Sequence, residues 1–230
     1  MKKYLSISIA SILALIAPGI AKAQLYVTSA IGGVPTVSGA TLENFDEPSP
    51  SILTLSGSAY LLTGASAYAA QPYFSGSTAA FFGESPTTGL DSSQYVGING
   101  AGGGSAGLSF STPQYYLGLL WGSVDSDNCL TFYDSANNVI GTVFGNDVPT
   151  APPIANQGLT GTSYVNITST TAFSSVVATT GALTAFEFDD VAYAQVVPEP
   201  ASGILFGAGL CILGFASRWK FAKSAGIELD

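Results

Sequence analysis

Between residues 24 and 197 the apolar residues come in short runs broken by Gly, Ser, Thr, Asn and Asp. No stretch there keeps a helical apolar period between recognisable caps. A chain patterned this way cannot build its core from amphipathic helices, so the core must come from strands. Leu53-Thr54-Leu55 alternates, and Val165 and Ile167 alternate with Asn166 and Thr168. Tyr115 to Trp121 is a continuous apolar run that suits a strand covered on both faces. Leu130 to Tyr133 and Val139 to Phe144 flank Asp134-Ser135-Ala136-Asn137-Asn138, a loop of hairpin length and chemistry. Further on, Phe186 and Phe188 share one parity with Glu187 and Asp189 between them, whereas Val191 and Tyr193 share the other. The step at Asp189-Asp190 would flip the faces unless a bulge takes up one residue. Many short strands at turn-punctuated spacing predict an all-β fold, an antiparallel β-sandwich of jelly-roll type. The glycine-rich piece from Gly97 to Gly107 reads as a surface loop, because strand-like sequence resumes at Leu108.

Charge narrows the function. The 230 residues include 15 acids, 6 Lys and Arg together, and no histidine, for a formal charge of −9. All the bases lie in the terminal segments: Lys2, Lys3, Lys22, Arg218, Lys220 and Lys223. Residues 24–197 therefore hold twelve acids and no base, a charge of −12. Nucleic-acid binding needs cations to neutralise phosphates, and this body offers none. Catalysis by His, by a Lys Schiff base or by an Arg clamp is excluded on the same ground. A His/Cys zinc site is excluded too, since Cys129 is the body's only cysteine. A charged fraction of 9% and a mean hydropathy of +0.40 are too apolar for a disordered tail. The length allows one domain with a real core. Carboxylate chemistry, hard-cation binding and aromatic contact surfaces remain open, as does a role without chemistry.

The two ends carry targeting signals. Met1-Lys2-Lys3 is a short basic n-region, Tyr4 to Ala17 is apolar, and Ala21-Lys22-Ala23 forms an A-x-A cleavage site before Gln24. These parts, in this order, predict a signal peptide over 1–23, handled by the Sec translocon and signal peptidase, and an exported body over 24–197. A second apolar stretch, Ala201 to Ser217, has no charge and ends at Arg218-Trp219-Lys220, with Lys223 beyond. It is long enough, barely, to cross a bilayer as a helix, and its basic flank predicts that this end stays cytoplasmic. Gly203 and Gly207 make a weak G-x-x-x-G match within it.

Before this span stand Val197-Pro198-Glu199-Pro200, a stiff, extended segment in which neither proline can donate a backbone hydrogen bond. A Pro-Glu-Pro motif, a short glycine-bearing span and a basic cluster, in that order, resemble the PEP-CTERM sorting segment of exosortase-dependent bacterial surface proteins. The resemblance covers Val197 to about Lys220 within the segment 198–230; the chain's continuation to Glu228 and Asp230 departs from it. It implies a Gram-negative type envelope, an inner-membrane precursor, an exosortase that recognises Pro198, Glu199 and Pro200, and release to the cell surface or an exopolysaccharide-rich matrix. The stretch from Tyr115 through Trp121-Gly122-Ser123-Val124-Asp125 to Tyr133 resembles a segment that recurs among such proteins and implies no activity.

The remaining motifs are weaker. Gly102 to Gly107 satisfies G-x-G-x-x-G, but a glycine loop precedes it and a strand follows, where a dinucleotide site needs strand then helix. Gly103-Gly104-Ser105-Ala106-Gly107 fits a G-x-S-x-G elbow, yet no histidine exists to activate Ser105. Asp125, Asp127 and Asn128 place oxygens as a calcium loop begins; Leu130 and Ala136 stand where an EF-hand needs Gly and Glu. The competing reading is an Asx-rich turn. Glu187 with Asp189, or Asp125 with Asp127, could pair as glycosidase carboxylates, although 187 and 189 alternate with phenylalanines as on a solvated sheet face. Aromatics such as Trp121 read as packing before sugar contacts. Cys129 reads as a small buried residue, and Asn166-Ile167-Thr168 is a formal glycosylation sequon. Together these lines predict a non-catalytic, structural or adhesive surface protein without a cofactor other than a candidate calcium. A carbohydrate-binding jelly roll is the second reading and a carboxylate glycosidase the third.

Overall fold

The computed structural model describes residues 23–47, 51–149, 158–182 and 184–195. Twelve strands and one short helix follow one another: β1 (Leu25–Ala30), β2 (Thr41–Glu43), β3 (Leu53–Ser56), β4 (Ala59–Thr63), β5 (Tyr73–Phe74), α1 (Thr78–Phe82), β6 (Gly89–Leu90), β7 (Gln94–Asn99), β8 (Ser105–Gly122), β9 (Cys129–Tyr133), β10 (Val139–Phe144), β11 (Ser163–Thr179) and β12 (Ala185–Ala194). The described chain is thus mostly antiparallel β-sheet, as its sequence pattern predicts. The signal peptide up to Lys22 and the segment 198–230 lie outside the described residues. Among those described, no helix is long and apolar enough to cross a membrane.

Ten strands form one sheet, ordered β10-β9-β11-β8-β12-β7-β4, with β1 on β11, β2 on β12 and β3 on β8; β5 and β6 pair separately. Two long strands organise it. The first half of β8 pairs with β3 and the end of β11, and its second half pairs with β12 and the start of β11. The β8–β11 register breaks on either side of Phe173. A single hydrophobic cluster takes side chains from both sides of that break, including Leu108, Leu117, Trp121, Val165, Phe173 and Val176. The sheet must therefore curl around it, and the register breaks let the strands bend. Trp121 stacks on Phe186 at 4.5 Å, and Phe132 meets Phe173 edge-on at 5.1 Å.

The apolar run in β8 is covered on both faces. Leu117, Leu119 and Trp121 enter the main core, while Leu120 joins Phe74, Ala79 and Tyr164 in a second cluster on the opposite face. The predicted hairpin is also present: β9 and β10 pair across Asp134–Asn138, where Asp134 Oδ1 accepts from the backbone N–H of Ala136 and of Asn138. Asn137 supplies the left-handed residue of that turn, at φ 65°. The glycine-rich loop is shorter than its composition suggests. Strand β7 continues through Gly97 to Asn99, and β8 begins at Ser105. At Gly100 a Cβ would stand 1.7 Å from the Gly181 carbonyl oxygen, so the backbones approach too closely for any side chain.

Candidate functional site

The expected bulge sits in β12. Its register against β8 shifts between Asp189 and Ala192, and Asp190 adopts φ 52°, which returns Val191 to the main core. Phe186 and Phe188 enter that core, so Glu187 and Asp189 point to the outer face. There the reading as a solvated face fails. Glu187, Asp189 and Asp190 are all fully buried, and so is Asp91.

The cover is the stretch that includes residues 64–93. Ala70 N–H donates to Glu187 Oε1 at 3.1 Å, and Tyr73 N–H donates to Thr162 Oγ1 at 3.1 Å. Phe74 and Ala79 pack on Leu120 and Tyr164. Asp91 is held by its own N–H, which donates to the Pro72 carbonyl at 2.9 Å. Four carboxyl groups are thereby sealed between two layers with no Lys, Arg or His anywhere in residues 24–197.

Few donors reach them. Ser93 N–H donates to Asp91 Oδ1 at 2.8 Å, and its hydroxyl bridges Asp91 Oδ1 and, at 3.5 Å, Asp189 Oδ2. At the rim, Asn44 Nδ2 donates to Glu84 Oε1 at 2.7 Å and to Asp46 Oδ2 at 3.0 Å. Asp91 Oδ2, Glu187 Oε2, Asp189 Oδ1 and both oxygens of Asp190 have no hydrogen-bond partner. Such burial favours the neutral acid. Desolvation, with repulsion from Asp125 added, pushes Glu187 up to about 8 against the opposing Ala70 hydrogen bond. Desolvation likewise pushes Asp190 up to about 9, reinforced by Glu84, Asp91 and Asp46. Asp189 is raised well above the usual carboxylate range by burial and then by Asp190 and Asp91. Groups so placed can hold protons at neutral pH. Both members of the Glu187–Asp189 pair are buried here, away from the surface where a polymeric glycoside would meet them.

The Asp125–Asn128 turn is engaged internally. Asp125 is buried and accepts from Ser123 Oγ at 2.8 Å, whereas Asp127 is exposed. Asn128 is fully buried: its Nδ2 donates to the Ser123 carbonyl at 2.9 Å, and its Oδ1 accepts from Thr180 Oγ1 at 2.6 Å. Both polar atoms of Asn128 are thus spent on the protein itself, tying the turn to Ser123 and Thr180. Among the described residues, no group of three or more acidic, Cys or His side chains is close enough to cage a metal.

Of the other sequence candidates, Gln24 lies beside β1, its N–H donating to Thr170 Oγ1 at 2.9 Å and its carbonyl accepting from Thr170 N–H at 3.0 Å. Ala23 is described as well; Ala21, Pro198, Glu199, Pro200, Arg218, Lys220 and Lys223 lie outside the described residues. Cys129 is only partly buried, because it shares the outward face of β9 with Thr131 and Tyr133 while Leu130 and Phe132 turn into the core. Trp121 is core. Asn166 is nearly buried and accepts from Thr36 N–H at 3.0 Å as well as from the Tyr116 hydroxyl, so the sequon is closed.

Sequence reasoning did not find the groove that opens beside the bend in β8. It measures about 460 Å³ and is lined by Ser38, Gly39, Thr41, Ser111, Thr112, Gln114, Tyr193, Ala194 and Gln195. Gln114 Nε2 donates to the Thr112 carbonyl at 2.6 Å, and Gln195 Nε2 donates to Thr112 Oγ1. The Tyr193 ring leans on Phe110 at 4.9 Å, which fixes its position at the groove wall. Hydroxyls, amides and one phenol line this space, with no carboxylate or cation among them. Three separate stretches of chain contribute, and no local pattern announces such a convergence.

The chain matches no protein-family model and no curated protein at a significant level. One solved structure similar to it is a family 6 carbohydrate-binding module whose binding subsites were dissected by crystallography and calorimetry. That chain is 11% identical at a TM-score of 0.35, with 68% of this chain and 94% of that one covered. At those values the two need share neither a fold nor a ligand.

Proposed function

We propose that this chain is an exported, exosortase-sorted surface or matrix protein with an adhesive, non-catalytic role, and that it adheres through carbohydrate held in the groove at Tyr193. In this reading the curled sheet is a sandwich of jelly-roll type. The single observation that carries it is the lining of the groove. Serine and threonine hydroxyls and glutamine amides can each donate and accept, which matches the hydroxyl array of a sugar, and the Tyr193 ring offers a face for stacking. The charge of −12 over residues 24–197 repels polyanions, so neutral polysaccharide is the favoured ligand class. The sorting half of the reading is supported by the sequence alone: the A-x-A site at Ala21 to Ala23, the Pro198-Glu199-Pro200 motif and the basic flank at Arg218, Lys220 and Lys223.

A glycan array probed with the purified full-length chain tests the adhesive half. Saturable binding to a neutral oligosaccharide, lost in Tyr193→Ala, is the expected result. Binding that survives Tyr193→Ala and Gln114→Ala together would remove the groove from the account. The sorting half is tested by replacing Pro198 and Pro200 with alanine in a host that has an exosortase, where the precursor should remain unprocessed; normal maturation would refute it.

A further inference from the structure

We propose that the sealed acidic cluster between β12 and its covering stretch is a calcium site, built from Asp190, Asp189 and Asp91 with Glu84 and Asp46 at its rim. The site is distinct from the Asp125 turn and independent of the glycan reading. Two observations carry it. The first is that carboxylates from remote parts of the chain are brought together in pairs, Asp91 with Asp189 through Ser93 and Glu84 with Asp46 through Asn44, where residues 24–197 hold no basic side chain to neutralise them. The second is Asp190, which is fully buried, lacks a hydrogen-bond partner on either oxygen, and lies within electrostatic reach of Glu84, Asp91 and Asp46. Its backbone is committed to this placement: φ is 52° at the bulge, and the Asp190 carbonyl accepts from the Tyr164 hydroxyl at 3.0 Å. An isolated buried carboxylate is costly, and the positive charge that would offset it must come from outside the chain.

The donor set selects the ion. Every candidate ligand is an oxygen, with no His or Cys in the set, which suits a hard cation better than zinc. Calcium accepts about 6–8 oxygens at roughly 2.3–2.6 Å in irregular geometry, whereas magnesium demands a near-ideal octahedron. Among the described residues no three carboxylates stand close enough to hold a metal as they are placed. The ion must therefore draw ligands together, and the two rim residues have room to move: Glu84, on the segment after α1, is only part-buried and Asp46 is exposed. Ser93, whose hydroxyl already bridges Asp91 and Asp189, holds two of the ligands in register.

The rival occupant is the proton, and the two can be separated. At neutral pH, the full-length chain in chelator is melted alone and then with calcium or magnesium added. At calcium about 100 times its Kd the melting temperature should rise by roughly 5–10 °C. Asp190→Asn should abolish the rise while melting no lower than the unsubstituted protein in chelator, because it removes a buried acid. Asp127→Asn should keep the rise. A second measurement needs no variant: terbium bound here should luminesce on excitation of the tyrosines, among them Tyr164, whose hydroxyl bonds the Asp190 carbonyl, and calcium should displace it. No calcium-dependent rise together with no displaceable terbium signal would overturn the site. So would a rise retained in Asp190→Asn, and a rise lost in Asp127→Asn would transfer it to the exposed turn.

Discussion

Replacing Glu187 with glutamine should leave stability almost unchanged in acid and raise it progressively as the pH increases. In the folded protein Glu187 stays protonated up to about 8, because burial penalises its charged form and Asp125 adds repulsion; its ordinary value is 4.5. The folded state therefore binds the proton more tightly than the unfolded chain does. The linkage runs in one direction: stability is full below pH 4.5, falls as the pH rises, and levels off above about 8. At ~1.36 kcal/mol per pH unit that interval corresponds to a loss of roughly 5 kcal/mol, of which partial opening of the cover would relieve some. Glutamine has the same shape, keeps a carbonyl oxygen for the Ala70 N–H, and does not titrate. Denaturant melts of both proteins across this range give the difference directly. It should grow by about 2–5 kcal/mol from the acid to the alkaline end. A constant difference would refute the argument, since it would mean that Glu187 is solvated and ionised in the folded protein.

Two further substitutions test the packing. Trp121→Ala removes a fully buried indole stacked on Phe186 and should cost about 3–5 kcal/mol in urea unfolding; a cost under about 1 kcal/mol would mean that the two sides of the curled sheet do not share this core. Gly145→Ala puts a Cβ 1.9 Å from the Asp125 carbonyl oxygen, so it should cost at least about 1–3 kcal/mol and loosen the Asp125–Asn128 turn, seen as faster amide exchange at Asn128.

Some of this was readable along the chain because it is local. Alternation over a few residues assigned the strands, Asp134 and Asn137 announced the hairpin turn, and the parity change at Asp189-Asp190 required a bulge. The absence of any base between residues 24 and 197 is likewise a property of the sequence alone, and it decides that a buried acid in this body has no internal cation to pair with. What alternation cannot say is whether the outward face of a strand meets water or another layer. Glu187 and Asp189 looked solvated because their neighbours in sequence are phenylalanines that turn inward. They are buried because Ala70, 117 residues away from Glu187, arrives with the covering stretch. The groove has the same origin, with Thr41, Thr112 and Tyr193 brought together only when β8 bends and β2 and β12 pair. Strand periodicity is written residue by residue, whereas burial is set by which distant segment packs across a face, and that is decided only when the whole sheet closes around its core.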